Sequence, residues 1–297
     1  MLPPSHTPAS HNAPAPTPAA APAPHNAPAT AAAPATAAAP ATGEGASRPR
    51  VVCHMFTSLD GRIDGPYMFD KASVPSREAY GALRDTFGAD AIVYGSTTMA
   101  GFLGRETPAL PQVSPDDPDP LDFLASPAGG TPAGTSPAAP HLLAPWCVSL
   151  DPAGTLAFRG PSLVRAGRPS MPVIQVLSET ASAAYRAYLR ACGISYITAG
   201  TNSQTLDLEL ACRKLGELFR VSCLLVCGGG LTNASFLEAN LLDTLSIVVA
   251  PVASGEQGIA TLFDLPQGQG ALPPRPFRLV SATPVAGNGV HLLYQRP

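Results

Sequence analysis

The sequence predicts an α/β domain: a mainly parallel central sheet flanked by helices, with an antiparallel hairpin at the C-terminal end. Three features lead to that class. From residue 51 onward, short apolar and β-branched runs alternate with stretches whose apolar residues recur at helical spacing. Several of those runs end in Gly, Ser, Thr or Asp, the residues that turn a chain tightly. Two alternating runs, 277–285 and 290–295, surround Ala286-Gly287-Asn288-Gly289, which is a hairpin signal.

Taken in order, residues 51–57 read as a buried strand, followed by Ser58-Leu59-Asp60-Gly61-Arg62-Ile63, where Asp60-Gly61 suits a tight bend. Ser76 reads as the N-cap of a helix that runs to Phe87 and is ended by Gly88. Residues 91–94 are the next strand, closing in Gly95-Ser96-Thr97-Thr98. Two more strands follow at 146–150 and 173–177, separated by a turn at Asp151-Pro152-Ala153-Gly154 and a polar connection over 159–168. A helix starts at Ser178 or Thr180 and runs through Cys192 to Gly193; residues 195–198 are a strand and 207–219 a helix. Residues 221–251 form one βαβ unit. It comprises a strand over 221–227, a break at Gly228-Gly229-Gly230, a helix over 232–242 with Phe236, Leu237, Leu241 and Leu242 on one stripe, and a strand over 245–250. A parallel pair joined this way requires a crossover, right-handed in nearly all proteins.

Composition narrows the rest. Of 297 residues, 35 are Pro and 27 are Gly, and much of the proline lies in 1–47 and in a second stretch at about 105–145. Residues 1–47 are Ala, Pro and Thr near-repeats with no Lys or Arg before Arg48. Such a stretch cannot bury enough apolar area to offset chain ordering, so it is expected to be a disordered tail. That leaves 48–297 as one domain with the 105–145 stretch inserted in it. The tail has neither the basic start nor the continuous apolar core of a secretory signal. With no run of about 18 apolar residues, no membrane span is expected. A net charge of −3 and 13% charged residues supply no basic stripe for nucleic acid. The six cysteines form no Cys-x-x-Cys pair and sit mostly in apolar runs, as reduced core residues of a cytoplasmic protein would. The histidines are scattered, so no metal site is expected.

In parallel sheets ligands gather beyond the carboxyl ends of the strands. Three such ends here are rich in Gly, Ser, Thr or Asp: 57–61, 95–98 and 228–233. At the triple glycine the absence of Cβ atoms lets a phosphate approach the backbone N–H groups, and the helix start beyond offers more donors. The corner lacks the Gly-Lys-Ser/Thr of a Walker loop and the third glycine of the usual dinucleotide fingerprint. By itself it reads equally well as a tight turn.

Three blocks in order carry a family resemblance: Cys53-His54-Met55 through Ser58-Leu59-Asp60-Gly61-Arg62-Ile63; Asp90-Ala91-Ile92-Val93-Tyr94-Gly95-Ser96-Thr97-Thr98-Met99; and 224–237 followed by Leu241-Leu242-Asp243 and Ala250-Pro251. The chain from about Arg48 onward, outside the insertion, resembles the reductase domain of bacterial riboflavin biosynthesis (a RibD C-terminal-like domain) and its dihydrofolate-reductase-like relatives. The resemblance implies a dihydrofolate-reductase-like fold, NADPH as hydride donor, a small heterocyclic substrate in the cleft beside the nicotinamide, and a homodimer. The compound reduced in that pathway is of the 5-amino-6-(5-phosphoribosylamino)uracil type. Carried over by position, Gly228, Gly229, Gly230, Leu231, Thr232 and Asn233 match the pyrophosphate-binding turn. Gly95 and Thr98 match the loop contacting the adenosine-side phosphates, and Thr57 and Ser58 approach the nicotinamide. Asp60, at the cleft mouth, is the carboxylate expected either to hold the bend or to help deliver the proton that accompanies hydride transfer.

The departures bear on the substrate. Cys227 stands where the family commonly has a substrate-binding Glu, Ser96 replaces the usual Arg or Lys, and the Asp-Asp-Pro motif after Thr98 is missing, with Phe102 and a longer loop in its place. The scaffold is therefore expected with more assurance than the riboflavin substrate. The alternative reading is a non-catalytic nucleotide-binding or interaction module that keeps the same fold.

Overall fold

The computed structural model describes residues 48–125 and 145–297. The expected tail over 1–47 and residues 126–144 of the insertion lie outside the described residues. The elements run β1 (Arg50–Thr57), α1 (Val74–Thr86), β2 (Ala91–Gly95), α2 (Ser96–Leu103), β3 (Trp146–Leu150), β4 (Ser162–Leu163), β5 (Met171–Leu177), α3 (Ala183–Ala191), β6 (Ser195–Thr198), α4 (Leu208–Phe219), β7 (Cys223–Val226), α5 (Gly230–Glu238), β8 (Thr244–Val249), β9 (Arg278–Val285) and β10 (Gly289–Gln295). Strands β6, β5, β3, β2, β7, β1 and β8 are mutually parallel in that order. Strand β10 pairs antiparallel with β8 and β9 with β10, completing the expected hairpin. The short β4 pairs antiparallel with the start of β5.

Both faces of the sheet are covered, which is why its parallel strands read as continuous apolar runs rather than alternating ones. On β1, Val51, Cys53 and Met55 pack with Leu208, Leu215 and Phe219 of α4 and Phe236 of α5. The intervening Val52 and Phe56 face the opposite layer, where Met99 of α2, Tyr185 and Leu189 of α3, and Tyr80 and Leu83 of α1 complete the packing.

Five expectations need correction. Helix α5 runs from Gly230 to Glu238 rather than over 232–242, so Leu241 and Leu242 enter the core from the connection to β8 and not from a helical stripe. Helix α1 begins at Val74, with Ser73 at its N-cap and Pro75 in its first turn, a position that suits proline because the missing N–H has no partner there anyway. Ser76 lies inside the helix, buried, and donates its hydroxyl to Ala286 O at 2.8 Å. Helix α3 starts at Ala183, because Ser182 caps it by accepting from Tyr185 N. The hydroxyls of Ser178 and Thr180 bond to each other at 2.6 Å, and Ser178 also donates to Pro152 O, so they hold a loop. The polar connection over 159–168 contains β4. Strands β7 and β8 are parallel but not paired: β1 lies between them, bonded to both. Local periodicity cannot reveal an earlier strand threaded into the gap.

The described part of the insertion closes the β6 edge. Phe123 and Tyr196 exchange both backbone hydrogen bonds, at 2.8 and 2.9 Å. Lys214 Nζ bonds Asp122 at 2.7 Å, and Arg186 pairs with Asp119. An open strand edge invites pairing with another chain, and here this segment covers it.

Candidate functional site

The three strand ends singled out from sequence lie along one edge of the sheet. Register fixes this: Cys53, Val226 and Val93 are level neighbours on parallel β1, β7 and β2, so the residues that follow them emerge on the same side. Two of the corners touch. A Cβ built on Gly228 would stand 3.0 Å from Tyr94 Cα and 3.2 Å from Gly95 N, and one on Gly95 would overlap Thr232 Oγ1. Only glycine permits backbone to approach backbone this closely. Gly229 has φ of 37°, in the left-handed region, and its missing side chain would point toward Thr98 Oγ1 at 3.7 Å. Gly95, Thr98, Gly228, Gly229 and Thr232 are thus brought together, and α2 and α5 start side by side.

Neither α2 nor α5 has a side chain capping its first turn. The first N–H groups of a helix have no partner within the helix, so these two starts present unclaimed donors and the positive ends of two backbone dipoles. Beside them, the buried Asn233 donates from Nδ2 to Leu262 O at 2.8 Å, while its Oδ1 has no partner among the described residues. Leu231 is half exposed.

The end of β1 is organised differently. Thr57 is buried, and its carbonyl accepts from Ala250 N. Ser58 Oγ donates to Asp60 Oδ1 at 2.7 Å and accepts from Arg62 N, so the bend itself uses that hydroxyl. Asp60 also accepts from Ser254 N at 2.8 Å and Gly255 N at 3.1 Å. The Ser58 hydroxyl, followed by the Ser254 and Gly255 amides, holds the Asp60 carboxyl well below the usual carboxylate range. It is a charged clasp between the 58–62 bend and the 252–255 segment.

Cys227 lies on the α1 face, beside Tyr80 and Tyr94, and burial pushes its thiol up to about 12. A thiol that stays protonated at neutral pH is a poor nucleophile. Tyr80 also stacks on the buried His54, with ring centroids 4.3 Å apart. His54 belongs to a hydrogen-bond chain whose direction can be worked out. Tyr80 O can only accept, so His54 Nε2 carries the proton at 2.9 Å; Nδ1 then accepts from Ser246 Oγ, which accepts from His291 Nε2 at 2.8 Å. Burial lowers the pKa of His54 to about 4 and lowers that of His291 as well, so both rings are neutral at pH 7.

Sequence reasoning missed Asp264. Its backbone N–H bonds Gly230 O at 3.1 Å, and its carboxylate accepts from Thr261 N and Oγ1. A Cβ on Gly230 would overlap that carboxylate and stand 2.6 Å from Thr261 O. Gly230 is therefore glycine because the 261–264 turn packs onto it. The Thr-x-x-Asp spacing was the available signal for that turn, although nothing local says where it docks. Among the described residues, no group of three His, Cys, Asp or Glu side chains is placed to hold a metal ion, and no helix is long and apolar enough to cross a membrane.

Comparison with solved structures gives the same fold. A pyrimidine reductase-like protein from Corynebacterium diphtheriae aligns with a TM-score of 0.54 at 19% identity, covering 83% of this chain and 91% of that one. The riboflavin biosynthesis reductase Rib7 of Saccharomyces cerevisiae aligns at 0.51 and 17% identity, covering 86% and 92%. RibD from Acinetobacter baumannii aligns at 0.51 and 18% identity over 84% of this chain, which spans 58% of that protein. At these identities the likeness is one of fold. No curated protein sequence matches the chain. Residues 49–292 match the family described as the RibD C-terminal domain, and the chain belongs to that family.

Proposed function

We propose that this protein is a reductase that uses a nicotinamide cofactor, NADPH by family resemblance, to reduce a small heterocyclic substrate. The observation that supports the reading is the interlocked glycine corner, where two helices begin without caps at one sheet edge. In this reading Gly228, Gly229 and Gly230, with Leu231, Thr232 and Asn233, hold the pyrophosphate. Gly95 and Thr98 meet the adenosine side, and Thr57 and Ser58 border the nicotinamide. The bare glycine cradle fits such a group, whereas the unpaired Asn233 Oδ1, which can only accept, and the Asp264 carboxylate beside Gly230 weaken the site for an anion. NADPH, when bound, supplies the hydride. The protein's part is placement and exclusion of water. Asp60 stays ionised at neutral pH and contributes by fixing the 58–62 bend rather than by giving up a proton. Cys227, with Tyr80 and Tyr94, forms an uncharged wall on the substrate side. A phosphoribosylaminouracil would miss a carboxylate there, so a less polar heterocycle is favoured over the riboflavin intermediate.

Titration of intrinsic and nicotinamide fluorescence with NADPH and NADH tests this reading, and saturable binding is expected. Absence of binding by either cofactor at millimolar concentration would overturn it. The second reading, a non-catalytic module, is favoured by Cys227 and Asp264; cofactor binding without turnover across a substrate panel would establish it. A homodimer belongs to the proposal too. Strand β9 is an edge strand exposed on both faces, with Leu279 and Val280 open to solvent, and light scattering will give the mass. All six cysteines are free, which suits a reducing, cytoplasmic setting.

A further inference from the structure

NADPH and NADH differ at one place: the adenosine ribose carries either a 2′-phosphate, which adds about two negative charges at pH 7, or a free hydroxyl. The phosphate calls for a basic side chain, whereas the hydroxyl can donate to a carboxylate or another acceptor. Every Lys and Arg of the chain, 18 in all, lies among the described residues, because 1–47 and 126–144 contain neither. Arg48, Arg50, Arg220, Arg275, Arg278 and Arg296 stand at the edge where the parallel strands begin, opposite the glycine corner. Arg84, Arg165 and Arg168 border a cleft with Ala89, Pro145 and Met171, again at strand starts. Arg186, Arg190 and Lys214 hold the described part of the insertion, and Arg213 pairs with Glu209 on α4. Arg159 pairs with Glu106 beyond the far end of α2, where Arg105 also lies. The remaining Arg62, Lys71 and Arg77 are on the β1–β8 side, at the start of α1 or before it, which is the nicotinamide end in the reading above. There Arg62 donates to Ile259 O at 2.9 Å and Arg77 covers the Phe69 ring.

The glycine corner is thereby left without a base. Helix α2 has no charged residue along its length, and α5 has none before Glu238. The ionisable group lying against the corner is acidic, Asp264 beside Gly230. On the other side of β2, the strand ends add Asp151 after β3 and Glu179 shortly after β5. Resting on the reductase reading, which sets the adenosine beside Gly95 and Thr98, we propose that this protein prefers NADH to NADPH, a departure from the cofactor its resemblance implies. Ser96 and Thr97, in the opening turn of α2, exchange hydrogen bonds with a ribose hydroxyl but bring no charge to balance a phosphate. The cofactor without the 2′-phosphate has one more hydroxyl donor for a corner that holds acceptors, Asp264 and Asn233 Oδ1, and about two fewer negative charges. The diphosphate common to both cofactors meets backbone amides and helix dipoles, which do not tell the two apart.

Fluorescence titration of the full-length protein with each cofactor, at one ionic strength, tests the inference. NADH is expected to bind about fivefold tighter than NADPH. Ser96→Arg, which supplies a guanidinium at the first position of α2, should shift the ratio of the two affinities toward NADPH by about tenfold. Wild-type binding of NADPH as tight as NADH, or tighter, would overturn the preference. So would a folded Ser96→Arg, checked by circular dichroism, that keeps the wild-type ratio; the wild-type comparison decides the matter if that variant does not fold. Saturable binding of neither cofactor is a different result, because it removes the reductase reading itself and the preference with it.

Discussion

Two kinds of helix start coexist here. Helices α3 and α4 begin under side-chain caps: Ser182 Oγ accepts from Tyr185 N, and Asp207 Oδ1 accepts from Leu210 N at 2.8 Å. Helices α2 and α5 begin at Gly95 and Gly229 with no side chain turned back on their donors. The first pair spend their donors on stability, and the second pair leave them open at a shared sheet edge. Helix α1 also starts without a side-chain cap, at Ser73, so what distinguishes α2 and α5 is that their two uncapped starts meet at interlocked glycines.

Substitutions can break or sharpen the contrast. The largest effect is expected for Gly229→Asp, which forces a side chain into a left-handed backbone position and sets a negative charge at the start of α5. NADPH affinity should fall by about a hundredfold or more, read by fluorescence titration, while circular dichroism stays near wild type. At a capped start, Asp207→Ala should do the reverse: it costs about 1 kcal/mol in denaturant unfolding and leaves cofactor affinity alone. Asp264→Asn should strengthen NADPH binding a few-fold, since it removes a like charge from the corner, an effect of about 0.3–1 kcal/mol. If Asp264→Asn instead weakens binding, the carboxylate takes part in recognition rather than opposing it.

The α1 side of the crevice gives a pH test. In the folded protein the pKa of His54 lies at about 4, below its ordinary 6.5, so the unfolded chain binds more protons across that window. Its contribution to stability is present above about pH 6.5 and is lost as pH falls toward about 4, with His291 acting in the same direction. Denaturant midpoints measured across this range should decline toward acid. His54→Gln should flatten the decline, because it keeps a donor for Tyr80 O and removes the titrating ring.

Much of this architecture was legible in the sequence because the signals were local. Trp146–Leu150 and Ser195–Thr198 are strands with the limits their apolar runs suggest, and Asp207 caps α4 where the helix pattern begins. The break at the triple glycine was also readable as a turn, but its use was not, because a glycine run after a strand serves a plain tight turn equally well. What failed was long-range. The insertion of β1 between β7 and β8 leaves no trace in residues 221–251, and neither does the docking of the 261–264 turn on Gly230. Ser76 misled for a related reason: its hydroxyl satisfies a carbonyl 210 residues away instead of its own helix. Asp60 could be placed in the 58–62 bend from sequence, but its bonds to Ser254 and Gly255, which help keep it ionised, come from a distant segment.

The most direct test is a crystal of the protein soaked with NADPH. The account expects the diphosphate within hydrogen-bond reach of the backbone amides that open α5, with the α2 start on its other side. A cofactor bound at another edge of the sheet, or a corner that stays empty while the cofactor binds elsewhere, would contradict it.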